Sequence, residues 1–175
     1  MTHTLVLGGI RSGKSALAES QAGLSGRGVV YLATATAGDG EMAERIAMHQ
    51  RRRPRDWRLE EESVALAEVL ERHADRAPCL LIDCMSLWLS NLLGADEAVL
   101  NRERDAFLAA LERYQGPVVI VTNEVGLGVI GMDPLTRRFC DELGWINQAL
   151  AQRCATVVMS VAGLPVVLKG QLRSC

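Results

Sequence analysis

The sequence carries no excess of one charge: 19 basic and 21 acidic side chains leave a formal charge of −2. No global field therefore recruits nucleic acid or an anionic membrane, and any anion site must be local. It also lacks a Cys-x-x-Cys pair or a Cys/His ligand spacing. Cys79, Cys84, Cys140, Cys154 and Cys175 are odd in number and scattered, which reads as reduced thiols in a cytoplasmic setting. There is no apolar run of membrane-spanning length, and Met1 leads through Leu5 to Leu7 straight into glycines, so neither a signal peptide nor membrane insertion is expected. Pro/Ser-rich linkers and internal repeats are absent too. A single domain over residues 1–175 is expected, and 49% hydrophobic with 23% charged residues suffices for a core without disulfides or a structural metal.

What is present is an alternation. Short runs rich in Val, Ile and Leu recur at Thr4 to Leu7, Val29 to Ala33, Leu80 to Ile82, Val118 to Val121, Val157 to Val161 and Val166 to Leu168. Continuous runs of this kind suit strands buried on both faces. Between them, apolar positions three and four apart predict helices over Ser15 to Ala22, Glu41 to Arg52, Val64 to Arg72, Ala98 to Tyr114 and Leu135 to Arg153. Asp133 followed by Pro134 marks the start of the last, whose inward face is Phe139, Leu143, Ile146 and Leu150. Strands alternating with helices predict an α/β fold with a mostly parallel sheet. Thr36 to Gly40 and Gln50 to Arg58 read as loops. The closing VVMSVAGLPVVLKG reads as two strands with a turn at Gly163, Leu164 and Pro165, an antiparallel edge.

The chemistry concentrates at Gly8, Gly9, Ile10, Arg11, Ser12, Gly13, Lys14 and Ser15, which match G-x-x-x-x-G-K-[ST] between an apolar strand and a helix start. Glycines let backbone N–H groups curl around phosphate oxygens, and the helix adds the positive end of its dipole. Lys14 is expected to reach the β- and γ-phosphates and Ser15 to ligate Mg²⁺. Asp83, closing the run Leu81-Ile82-Asp83, is placed as a second metal-holding group, a carboxylate, although an ordinary strand-end cap explains it too. Thr122-Asn123-Glu124 brings polar groups to the same edge, where a turn-forming role is almost as good an account.

His49 stands among Arg45, Arg51, Arg52, Arg53 and Arg55. A neutral imidazole ringed by guanidinium groups is a competent nucleophile toward a phosphate. On the residues alone, a solvated helix end or a phosphate clamp of arginines, with His49 a surface residue, accounts for the segment better. His3 and His73 have no partner pattern and are expected to face solvent.

Together with VVYLATA at Val29 to Ala35, EMAERIAMHQRRRP at Glu41 to Pro54, TNEVGLGVI at Thr122 to Ile130 and the closing VAGLPVVLKG, the loop GGIRSGKS resembles the bifunctional adenosylcobinamide kinase and adenosylcobinamide-phosphate guanylyltransferase of cobalamin biosynthesis over nearly the whole chain. The resemblance implies a RecA-like P-loop NTPase fold and a homotrimer. It implies transfer of the γ-phosphate of ATP or GTP to the aminopropanol hydroxyl of adenosylcobinamide, then capture of GMP from GTP by His49 and its passage to adenosylcobinamide phosphate. By position it implies nucleotide contacts at Gly8 to Ser15, Thr34, Ala35, Thr36, Gln50, Arg51, Arg52, Arg53, Glu61 and Asp83. The chain departs from the family at Met48, where a second histidine is frequent, and at Arg52, where a smaller residue is frequent. A plain small-molecule kinase would keep the loop, Asp83 and the arginines without forming a bond to His49. A nucleotide-dependent switch is a third reading, disfavoured by the lack of an NKxD motif.

Overall fold

The computed structural model describes residues 2–35, 54 and 56–174. The helix expected over Glu41 to Arg52, with His49, lies outside them. Twelve elements are described: β1 (Thr4–Gly8), α1 (Lys14–Gly23), β2 (Val29–Ala33), β3 (Arg58–Glu61), α2 (Leu66–Arg72), β4 (Cys79–Asp83), α3 (Met85–Leu93), α4 (Glu97–Arg113), β5 (Val118–Asn123), α5 (Pro134–Arg153), β6 (Thr156–Val161) and β7 (Leu164–Lys169). The strands form one sheet in the order β3-β2-β4-β5-β1-β6-β7. All neighbours run parallel except β6 and β7.

The apolar runs of β1, β2, β4, β5 and β6 form strands because both faces of the sheet are covered there, whereas β7, expected to be buried as well, is exposed along its whole length because it is the sheet edge. Alternate residues go to opposite sides: Leu5, Leu80, Ile82, Val118 and Ile120 meet the helices α2 to α5, while Val6, Leu81, Val119 and Val121 meet α1. Asp133 caps α5 as expected, its carboxylate accepting from the Thr136 amide at 2.8 Å ahead of Pro134. Leu143, Ile146 and Leu150 of the expected face are buried, with Phe139 packed against the core.

Two elements escape the pattern reading. β3 is a short, mostly exposed edge strand, Arg-Leu-Glu-Glu, and begins at Arg58, which the sequence assigns to a loop. Pairing with β2 rather than hydrophobicity makes it a strand, and its charges suit a sheet edge. α3 buries Met85, Trp88, Leu89 and Leu92, a three-four spacing hidden in a segment apolar nearly all round. Trp88 anchors it, donating from Nε1 to the Val64 carbonyl at 2.8 Å and meeting the Phe107 ring at 5.5 Å between centroids.

The C-terminal hairpin turns one residue earlier than expected. Ala162 and Gly163 form the turn, with φ of 52° and 80°, and Leu164 and Pro165 already belong to β7. Two central residues with positive φ match the twist of the flanking strands, and Pro165 is tolerated because β7 is the edge strand.

The histidine expectations also fail. His73 is largely covered, its Nε2 2.8 Å from Glu60 Oε2. His3 is buried at 1% exposure. Its Nε2 lies 3.0 Å from the Leu111 carbonyl, and its Nδ1 accepts from the Val118 amide at 3.3 Å. That pair of partners is satisfied by the neutral tautomer carrying its proton on Nε2. A second proton would point Nδ1–H at the Val118 N–H.

Burial accordingly holds the His3 pKa below its ordinary value, against the opposing pull of the Leu111 bond. The unfolded chain takes up this proton near its ordinary pKa of about 6.5, so the folded state keeps its full advantage above that pH and loses it as pH falls below. The melting temperature should therefore drop between pH 7 and pH 5, and a His3→Asn variant should show a flatter slope over that window. Equal slopes would contradict this role for His3.

Candidate active site

All six parallel strands end at the same edge, and register places the candidate residues along it. Gly8 at the end of β1 lies opposite Asn123 of β5 and Ser160 of β6. Asp83 closes β4, and Ala33 of β2 pairs with both Asp83 and Glu61. β5 stands between the strand of Asp83 and β1, so Asp83 faces the glycine loop across one intervening strand. Crevices at this edge are where open α/β sheets bind ligands.

The loop between β1 and α1 is held by distant chain. The Ser12 carbonyl accepts from the Ser160 hydroxyl at 2.7 Å and from the Gly163 amide at 2.8 Å. The Ser12 amide donates to the Gly9 carbonyl at 3.3 Å. Gly8 and Gly13 are sterically required. A Cβ on Gly8 would stand 2.3 Å from Ser12 Oγ and 2.9 Å from the Ser160 carbonyl oxygen. Gly13, the N-cap of α1, has φ of 91°, and a Cβ there would meet the Gly163 Cα at 3.0 Å. Gly9 has open space around it.

The arrangement fits a polyphosphate. The first amides of α1 have no intrahelical acceptor, and no acidic residue in its first turn offsets the positive end of the helix dipole. Lys14 donates to the Gly9 carbonyl at 3.1 Å, within its own loop. A phosphate oxygen would offer it a charged and stronger acceptor. For a cation, no group of three or more His, Cys, Asp or Glu among the described residues forms a cage. Ser15 and Asp83 could hold one only with phosphate oxygens completing its shell.

Asp83 has one oxygen engaged, Oδ2 accepting from the Tyr31 hydroxyl at 3.0 Å; among the described residues Oδ1 has no donor. Cys84 follows it, and burial first, then the Asp83 charge, push its thiol pKa up, while Ser86, the Leu87 backbone and Lys14 pull the other way. A pKa shift in this direction disfavours the thiolate, the nucleophilic form. Ser86 donates to Asn123 Oδ1 at 3.1 Å, tying the start of α3 to the end of β5.

Thr34 is fully buried. Its hydroxyl donates to the Cys84 carbonyl at 2.7 Å and accepts the Cys84 amide at 2.8 Å, clamping β2 to β4. Its side chain is therefore occupied with the scaffold. Ala35 is half-buried just beyond, and Glu61 is exposed at the end of β3. Thr36, His49, Gln50, Arg51, Arg52 and Arg53 lie outside the described residues. Sequence reasoning missed Ser160 and Gly163 as supports of the loop: nothing local in β6 or its turn signals a bond to a carbonyl 148 residues away.

Comparison with known proteins assigns the family. Residues 4–168 match the family model described as cobinamide kinase / cobinamide phosphate guanyltransferase. The chain belongs to this family. It is 53% identical over 168 residues to the bifunctional adenosylcobalamin biosynthesis protein CobP of Pseudomonas aeruginosa, covering 95% of this chain and 97% of that one. It is 39% identical to the corresponding CobU protein of Escherichia coli, covering 94% and 98%. Membership makes the chain an enzyme, a kinase and guanylyltransferase. Its fold is similar to that of the RadB recombinase, with a TM-score of 0.52 at 17% identity over 99% of this chain and 83% of that one. It is also similar to a type III secretion ATPase, at 0.52 and 12% over 95% and 56%. The kinase and guanylyltransferase family member thus has a RecA-like P-loop fold, as the resemblance implies.

The steric reading of Gly13 predicts that Gly13→Ala, forced into a left-handed conformation costing about 1–2 kcal/mol, lowers the melting temperature and weakens GTP binding together. Calorimetry and nucleotide titration of the same variant check it. Unchanged GTP affinity would contradict the role given to Gly13.

Proposed function

We propose that this enzyme phosphorylates adenosylcobinamide and then guanylylates the product by way of His49. The observation that carries the reading is the glycine loop with Lys14 donating to the Gly9 carbonyl, fixed at the sheet edge beside Asn123, in a chain matched to this family over residues 4–168.

In the first reaction the substrate hydroxyl oxygen attacks the γ-phosphorus of ATP or GTP. The bond from that phosphorus to the β,γ-bridging oxygen breaks, the nucleoside diphosphate leaves, and the hydroxyl proton passes to a base or to water. The loop amides and Lys14 hold the phosphates in place and offset charge as it moves to the bridging oxygen. When bound, Mg²⁺ supplies further charge neutralisation across the phosphates. Ser15 and Asp83 are assigned as its protein ligands, directly or through water.

In the second reaction a nitrogen of His49 attacks the α-phosphorus of GTP, forming a P–N bond as pyrophosphate leaves. A phosphate oxygen of adenosylcobinamide phosphate then attacks the same phosphorus. The P–N bond breaks, His49 is regenerated, and adenosylcobinamide-GDP is released. Gln50, Arg51, Arg52 and Arg53 are assigned to gather the polyphosphate, with Thr34, Ala35, Thr36 and Glu61 as further nucleotide contacts. For Thr34 that contact falls to the backbone, because its hydroxyl is engaged with Cys84.

The proposal takes residues 1–175 as one nucleotide-binding domain, working in the cytoplasm as a homotrimer without nucleic-acid partners. Among the described residues no helix is long and apolar enough to cross a membrane.

Intact-protein mass spectrometry after incubation with GTP and Mg²⁺ tests the covalent step. A GMP adduct is expected on the native chain and not on His49→Ala, while Lys14→Ala should slow the kinase reaction by roughly 100-fold or more, in line with losing a main electrostatic donor. Native protein that turns over adenosylcobinamide without forming an adduct would favour a plain kinase.

A further inference from the structure

The segment between β5 and α5, residues 124–133, is left without a task by the nucleotide site. Leu127, Val129, Ile130, Met132 and Leu135 are all exposed, Val129 and Met132 almost completely. Covering such a side chain is worth about 1.5–3 kcal/mol, and an apolar cluster this dense on a surface marks an interaction site. Between Asn123 and Pro134 there is no lysine or arginine, and the charged residues are Glu124 and Asp133. Arg137 of α5 donates to the Met132 carbonyl, so acidic and basic groups meet at this segment and what sets it apart is its exposed apolar surface.

Topology sets where this surface lies. α4 and α5 each deliver the chain to the amino end of a parallel strand, so both begin on the side of the sheet where the glycine loop sits. Their first turns approach each other, Arg138 of α5 lying 3.8 Å from Glu97 of α4. There the end of α3 and the start of α5 enclose an open cleft of about 480 Å³ lined by Ser90, Leu93, Gly94, Leu135, Thr136 and Phe139. That size falls within the range of small-molecule sites. Leu135 belongs to both the cleft and the exposed cluster. The segment is tied to the glycine loop's strand, because the Glu124 amide donates to the Gly8 carbonyl at 3.2 Å.

We propose that the apolar segment 127–135 and the adjoining cleft between α3 and α5 seat the corrin macrocycle of the cobinamide substrate. This rests on the function proposed above. A corrin presents broad, methyl-bearing apolar faces with an amide rim, and an alkylated cobalt(III) corrinoid without its phosphate carries one net positive charge. The exposed apolar side chains complement those faces and Glu124 offers a carboxylate to the positive charge, whereas the basic and glycine-rich groups of the glycine loop complement neither. With the ring placed here, the hydroxyl-bearing arm extends along the sheet edge toward the glycine loop.

The test is equilibrium dialysis with adenosylcobinamide, and separately with GTP, for the native protein and the double variant Val129→Ser/Met132→Ser. Both side chains are exposed, so folding should be unaffected, which the melting temperature checks. Corrinoid affinity about tenfold weaker in the variant, equivalent to about 1.4 kcal/mol, with GTP affinity and solution mass unchanged, is the expected result. A Leu135→Ser variant, from the cleft wall, should weaken the corrinoid in the same way. Equal corrinoid affinity in native and variant proteins overturns the proposal while leaving the function intact. A changed solution mass with corrinoid affinity retained also overturns it, by assigning the surface to contact between copies. Native protein that binds GTP but not adenosylcobinamide overturns the functional reading itself, and this inference with it.

Discussion

One carbonyl oxygen carries much of the architecture of the glycine loop. The Ser12 oxygen accepts from Ser160 and from Gly163, so the middle of the glycine loop is fixed by the last hairpin of the chain. Two hydrogen bonds to one buried acceptor set the peptide plane, and with it the direction of the amides that follow into α1. Gly13 then turns through a left-handed conformation to start the helix. These bonds hold the loop in place without a ligand, and preorganisation of this kind lowers the ordering cost of binding.

The sheet shares out the remaining tasks. Six parallel strands bring their carboxyl ends to one edge, and parallel pairing alone brings Gly8, Asn123 and Ser160 into line. One face is covered by α1, whose first turn follows the glycine loop. The other is covered by four helices, of which α3 and α5 leave a cleft on the same side as the glycine loop. Charge and apolar surface are thereby separated across one edge, a division suited to a substrate pair in which one member is a polyphosphate and the other is not.

Elements buried on both faces were legible because their apolar runs have few alternatives: β2 matches its expected limits, and α5 begins at its expected cap. β3 was not, since Arg58 to Glu61 contains one apolar residue and is a strand only through its neighbour. His3 looked solvent-facing because its two partners, Leu111 and Val118, lie more than 100 residues away. The glycine loop was legible as a motif, as phosphate binding imposes its spacing on consecutive residues. Its supports were not, because they converge only in three dimensions. The engagement of the Thr34 hydroxyl, which joins the ends of β2 and β4, was likewise invisible in the sequence because its partner Cys84 lies 50 residues away.

The account's central claim is that the loop pinned at Ser12 is where the triphosphate binds. A crystal structure with a non-hydrolysable GTP analogue and Mg²⁺ tests it most directly. The account predicts phosphate oxygens on the amides of Gly13 to Ser15, Lys14 turned away from the Gly9 carbonyl toward them, and the metal between Ser15 and Asp83. Phosphates seated elsewhere, with Lys14 still on Gly9, would contradict it.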